Sequence, residues 1–159
     1  MLLTDELTAF LESGVSIFLA SRSVDNVPSV SRARGCHVSA ERKTVRVFVA
    51  KDVAAHVLTD IKATGVVAAT FSMPSTHETV QLKGVDAQIR AVSVDEGRHI
   101  DQHPASFRED VVSLGFTPEF LAEFSAPSAE GDVAVEFSPI EGALQTTSAP
   151  ESAGVRARS

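Results

Sequence analysis

The sequence predicts an α+β domain built on a small closed or split β-barrel, with about six mostly antiparallel strands and short helices in the connections. Three observations carry this expectation. Segments that alternate apolar and polar residues recur along the chain, and the early ones are joined by turns rather than by helices. One apolar run, Val66 to Phe71, reads as a central strand. The long run after it, Thr79 to Ala91, changes phase near Gly84, from apolar Val80 and Leu82 to apolar Val85, Ala87, Ile89 and Ala91. Keeping both halves toward one core needs a β-bulge there, or a sharp bend like those at barrel corners.

The elements follow in order. Thr4 can cap a short helix, because Asp5 and Glu6 suit its first turn, Leu7, Phe10 and Leu11 form one face, and Gly14 ends it. Val15 to Ala20 is a strand with Val15, Ile17 and Leu19 on one face and Ser16, Phe18 and Ala20 on the other. Asp25-Asn26 turns the chain before Pro28. Ser29 to Val38 is expected as one strand, with Val30, Arg32, Arg34, Cys36 and Val38 on one face. Ser31, Ala33, Gly35 and His37 lie on the other, and such small residues let a flat ligand or another backbone come close. Val45, Val47 and Val49 mark a third strand, and Lys51 to Thr64 a helix with Val53, Val57 and Ile61 inward and Gly65 as its stop. Ser93-Val94-Asp95-Glu96 is a capping box that opens a helix. Helices are also expected after Pro104 and Thr117, and a last strand carries Val133, Val135 and Phe137.

Length and composition bound the function. The 159 residues suit one domain, expected over 1–147, with a Ser/Ala/Pro/Gly/Arg tail at 148–159 expected to be disordered. A net charge of −7 argues against sequence-independent nucleic-acid binding, and without Trp or Tyr any base-stacking platform would be Phe only. A single cysteine, Cys36, rules out an intramolecular disulfide and fits a reducing compartment. The start M-L-L-T-D-E-L carries acids where a signal peptide needs lysine or arginine, and no apolar run approaches a membrane span. We therefore expect a cytoplasmic protein with neither a nucleic-acid nor a membrane partner.

The segments F-S-M-P-S-T-H-E-T-V-Q-L-K-G (Phe71 to Gly84) and V-A-V-E-F-S-P-I-E-G-A-L-Q-T (Val133 to Thr146), with the order of elements around them, resemble the pyridoxamine 5'-phosphate oxidase-like family of FMN-binding split barrels. The resemblance runs from about Leu3 to Thr146 and implies a six-stranded split barrel, a homodimer with FMN sites at the subunit interface, and flavin-dependent oxidation or reduction of a small-molecule substrate. Arg32 matches the arginine of the family's R-x-x-x-x-K strand, with His37 at the lysine. Where the family offers Thr and then Ser-Arg-Lys to the FMN phosphate, this chain has Ala50 and then Ala54-Ala55-His56. Thr79 stands for a family glutamine that meets the flavin, with Gln81 two residues on.

A phosphate dianion wants fixed positive charge and several donors, and histidine carries its charge only in part at neutral pH. Arg34, Lys51 and the Ser75-Thr76-His77 loop are the residues that compensate in this reading, and Ala33 beside Gly35 suits an isoalloxazine edge. The oxidase's carboxy-terminal Trp and Arg have no counterpart in a chain without Trp, which points away from pyridoxamine-phosphate oxidation itself. The departures keep two alternatives open: a flavin or haem carrier without turnover, and a split barrel with no cofactor. No metal is expected. His99 and His103 have a zinc-compatible spacing, but Ile100 stands where the metalloprotease pattern places Glu, so a solvated helix face is the reading. Cys36 reads as an inert core thiol.

Overall fold

The computed structural model describes residues 1–101, 114–115, 117, 119 and 130–144. Among them, three helices and nine strands form an α+β fold of two antiparallel sheets. Helix α1 spans Asp5–Glu12, strand β1 Ser16–Arg22, β2 Pro28–Arg32, β3 Gly35–Val38 and β4 Val45–Ala50. Helix α2 follows at Ala55–Thr64, then β5 Val67–Ser72, β6 Thr79–Gly84 and β7 Gln88–Ala91. A helix at 94–101, α3, precedes β8 Asp132–Phe137 and β9 Glu141–Leu144. The first sheet has the order β2-β1-β5-β6-β9 and the second β3-β4-β8-β7. The expectation of six strands is therefore corrected to nine. Two expected strands each divide between the sheets, and β9 was not foreseen.

The first division falls inside the expected strand Ser29 to Val38. The Ala33 amide donates to the Ile17 carbonyl of the first sheet at 2.9 Å, and the next amide, Arg34, donates to the Phe48 carbonyl of the second at 2.7 Å. Consecutive residues thus serve different sheets, and the alternation of faces breaks. Cys36 and Val38 point into the core, whereas Arg32 and Arg34 stay half-buried. The second division is the corner at 85–87, which takes up the phase change foreseen near Gly84 by a bend between sheets rather than by a bulge within one. Val85 is swung out to 60% exposure, while Ala87 remains buried. Gly65 makes the corner possible. It caps α2 in the left-handed conformation at φ 70°, and a Cβ there would stand 2.9 Å from the Val85 carbonyl.

The inner faces of the sheets meet in one core. Ile17, Leu19, Val67, Ala69, Phe71 and Leu82 pack against Val45, Val47, Val49, Val133, Val135 and Phe137. Helix α1 adds Leu11, and α2 adds Val57, Leu58 and Ile61. The expected helix start at Lys51 is corrected to Ala55, so Val53 lies in the preceding turn at 66% exposure and Ala54 takes the buried place. Thr4 caps α1 as expected, accepting the Leu7 amide at 3.1 Å. No helix among the described residues is long and apolar enough to cross a membrane. The helices expected after Pro104 and Thr117, and the tail at 148–159, lie outside the described residues apart from isolated positions.

The sheets differ in how their outer faces are used. Helix α3 covers the second sheet, where Ile100 packs with Phe48 and Ala134. Its capping box forms as the sequence expects, with Ser93 and Glu96 exchanging bonds of 3.0 and 3.2 Å. Glu96 then grips Arg46 of β4 through both carboxylate oxygens, and Arg46 also meets Glu136 at 2.7 Å and the Ala91 carbonyl at 2.9 Å. The outer face of the first sheet keeps its access to solvent, with Phe18 at 44% and Val30 at 66% exposure.

Candidate functional site

The open face of the first sheet is organised by strand register. Arg32 lies opposite Phe18, Phe18 opposite Thr70, Thr70 opposite Gln81, and Gln81 opposite Ala143. Cross-strand neighbours share a face, so these five residues form one row across all five strands. The flanking row on one side is Val30, Ala20, Ala68, Lys83 and Glu141. On the other side Ser16, Ser72 and Thr79 line up, and the Ser72 and Thr79 hydroxyls are 3.0 Å apart.

The chemistry of the row follows from its members. The Arg32 guanidinium sits over the Phe18 ring, 5.7 Å from its centroid. Burial pulls the Arg32 pKa down from its ordinary value, the direction expected of a cation partly withdrawn from water. The Gln81 amide donates to the Thr70 hydroxyl at 3.3 Å. A cation, an aromatic face, hydroxyls and one amide, set among alanines, suit a planar polar ring system with an anionic group. The hairpin between β5 and β6 closes one end of the face. Ser75, Thr76 and His77 are exposed on it, and His77 takes a left-handed φ of 60° as its amide donates to the Met73 carbonyl at 2.8 Å.

The fold thus gathers Arg32, Thr79 and Gln81 on one face, with Ser75, Thr76 and His77 at its rim. It sends the other expected residues elsewhere. Ala33 is 5% exposed within the core. Arg34 is half-buried and pairs with Asp132 of β8 at 3.0 Å. Lys51 is exposed and follows the end of β4, where Ala50 lies opposite that same Asp132. His56 is exposed on the first turn of α2, whose N-cap, Ala54, makes no side-chain capping bond. Arg34 and Lys51 therefore lie by Asp132, reached from Arg32 through the two-residue switch between β2 and β3, while His56 stands apart on α2. His37 faces the other way, toward Glu12 and His99. The small residue Gly35 receives another backbone, because a Cβ there would meet the His99 carbonyl at 3.2 Å.

Three members of the row, Phe18, Thr70 and Ala143, were not singled out from the sequence. Phe18 had a signal: it is an aromatic on the Ser16-Phe18-Ala20 side of a strand whose other side is uniformly aliphatic. Thr70 had none, because the run around it reads as apolar throughout.

No protein-family model matches the sequence, and no curated protein does. Comparison with solved structures does find matches. An F420 reductase is 16% identical, with a TM-score of 0.59 over 90% of this chain and 100% of that one. HupZ of Group A Streptococcus is 10% identical, with a TM-score of 0.57 over 92% of this chain and 96% of that one. A candidate pyridoxamine 5'-phosphate oxidase of Lactobacillus delbrueckii is 16% identical, with a TM-score of 0.51 over 89% and 93%. At these identities the likeness is one of fold, and it is the fold that the segments around Phe71 to Gly84 and Val133 to Thr146 led us to expect.

Proposed function

We propose that this chain is an FMN-binding protein of the pyridoxamine 5'-phosphate oxidase-like kind, acting as a homodimeric oxidoreductase on a small-molecule substrate. The observation that carries the reading is the row Arg32-Phe18-Thr70-Gln81 on the open face of a sheet whose fold is shared with an F420 reductase. In this reading Arg32, with Arg34, Lys51 and His56, holds the anionic end of the cofactor. Gln81, Thr79 and the Ser75-Thr76-His77 rim supply hydrogen bonds to its polar edge. When bound, FMN would supply the hydride and electron chemistry. A second subunit placed over the exposed Phe18 and Val30 would exclude water from the site.

A second reading is a carrier that binds flavin or haem without turnover. It is favoured by the row itself, where Arg32 is the only titratable side chain among Arg32, Phe18, Thr70, Gln81 and Ala143. Absorbance of the purified protein and FMN titration by flavin fluorescence test the proposal. FMN is expected to bind one per chain, and Arg32→Ala to weaken it about tenfold or more by removing a charge-assisted contact. Light scattering is expected to report a dimer, and oxidation of reduced nicotinamide by the loaded protein separates enzyme from carrier. A colourless protein whose titration leaves flavin fluorescence unchanged overturns the flavin reading, and a Soret band in its place assigns the face to haem.

A further inference from the structure

A second cluster of ligating side chains stands at β3 of the second sheet, apart from the row on the first. Glu12 ends α1, His37 lies on β3, and His99 lies on α3. The His37 and His99 rings are 4.4 Å apart at their centroids and tilted by 38°. His37 Nδ1 is 3.0 Å from Glu12 Oε1, and that oxygen also accepts the Val38 amide at 2.8 Å. One donor atom from each of the three residues lies within 4.8 Å of the others.

We infer that Glu12, His37 and His99 form a binding site for one divalent transition-metal ion of the zinc type. Two imidazoles and one carboxylate are the donor set that Zn²⁺, Co²⁺ and Ni²⁺ accept, whereas Mg²⁺ and Ca²⁺ require oxygen ligands. A tetrahedral ion with bonds of about 2.0–2.2 Å holds its donors about 3.4 Å apart. The His37–Glu12 side is already at 3.0 Å, so the cluster closes by about 1.4 Å at its widest, within the reach of side-chain rotation. The fourth position stays open to water or to an outside ligand.

The arrangement is built by the surrounding fold. Gly35 lets the α3 backbone approach β3 closely enough for the two imidazoles to meet. The Glu96–Arg46 clasp and the Ser93 capping box fix where α3 lies on the sheet. The Val38 amide orients the Glu12 carboxylate, the kind of outer-shell contact that tunes a metal ligand. The solvated helix face expected at His99 and His103 is corrected at His99, which is half-buried against His37, and His103 lies outside the described residues.

The test uses the full, tag-free chain, stripped with a chelator and titrated with Zn²⁺ by calorimetry. Native mass spectrometry counts the bound ions, and Mg²⁺ serves as counter-probe. One Zn²⁺ per chain is expected, with no response to Mg²⁺ and a rise in melting temperature on loading. Glu12→Gln, His37→Ala and His99→Ala are each expected to weaken Zn²⁺ binding at least tenfold, with circular dichroism checking their folds. If the wild type takes up no Zn²⁺, or if Glu12→Gln and His37→Ala bind it as tightly as the wild type, the proposal is wrong. If a variant does not fold, wild-type protein loaded with Co²⁺ gives the answer. Visible bands of a low-coordinate ion support the site, and the pale spectrum of an aquo ion rules it out.

Discussion

Gly84→Ala probes the contact that ties the two sheets together. Gly84 closes β6 opposite Val67, while Phe137 closes β8 opposite Val45, so their meeting spans the core. A Cβ at residue 84 would lie 2.7 Å from Phe137 Cδ2 and 3.3 Å from its Cβ and Cγ. Carbon atoms pack best at about 3.5–4.0 Å. The ring must therefore give way by about 1 Å, and at 1% exposure it has no free side to move toward. Overpacking of this kind costs about 1–3 kcal/mol. Gly84 has no positive φ, so alanine also restricts the unfolded chain and returns about 0.4–1 kcal/mol. The net expectation is a loss of about 1–2 kcal/mol, or a fall of about 0.5–1 M in the urea midpoint for a slope of about 2 kcal/mol/M. Combining it with Phe137→Leu, which removes the opposing ring edge, should recover part of that loss. Two effects that add within about 0.5 kcal/mol, or a midpoint that does not move, would refute the close approach.

Two further outcomes follow from buried polar groups. Asp60 of α2 is 5% exposed and accepts the Ser29 hydroxyl at 2.6 Å, which fastens the helix to the edge strand β2. Ser29→Ala is expected to cost about 1–3 kcal/mol in urea unfolding, and a change under about 0.5 kcal/mol would show that Asp60 finds another donor. Burial alone would raise the pKa of Glu96, but the Ser93 bonds and the Arg46 guanidinium outweigh it and hold the carboxyl below its ordinary value. With the folded pKa depressed, this stabilisation is present above the unfolded value of about 4.3 and is lost as pH falls through the folded value. Glu96→Gln should therefore flatten the acid limb of the stability–pH curve below about pH 4.5, and superimposable limbs would contradict the assignment.

Much of the fold was legible because its signals are local. The Thr4 cap, the Gly65 stop, the Ser93–Glu96 box and the alternating valines of β4 each act within a few residues, and each formed as the pattern implied. The two points where the chain leaves one sheet for the other were not legible in this way. Alternation records which face a residue takes, not which sheet it belongs to. A strand that changes sheets at Ala33–Arg34 therefore looked continuous. The open face was partly readable, since Arg32, Thr79 and Gln81 lie on strands whose polar side could be traced. Their assembly into one row depends on the register of strands distant in sequence, which no local pattern encodes. The same holds for His37 and His99, which meet only because α3 folds back over β3.

The switch at Ala33 and Arg34 also limits how the protein can move. Adjacent amides are anchored to opposite sheets, at 2.9 and 2.7 Å, so no slack chain lies between them. Parting the sheets means breaking one of these bonds in the interior, and the two halves should lose amide protection together rather than in sequence. Arg32 stands one residue before this junction, so its main chain is tethered next to both anchors. For the cofactor proposed above, the main chain under Arg32 would be the fixed part of the face and the exposed Ser75–His77 rim the part free to adjust.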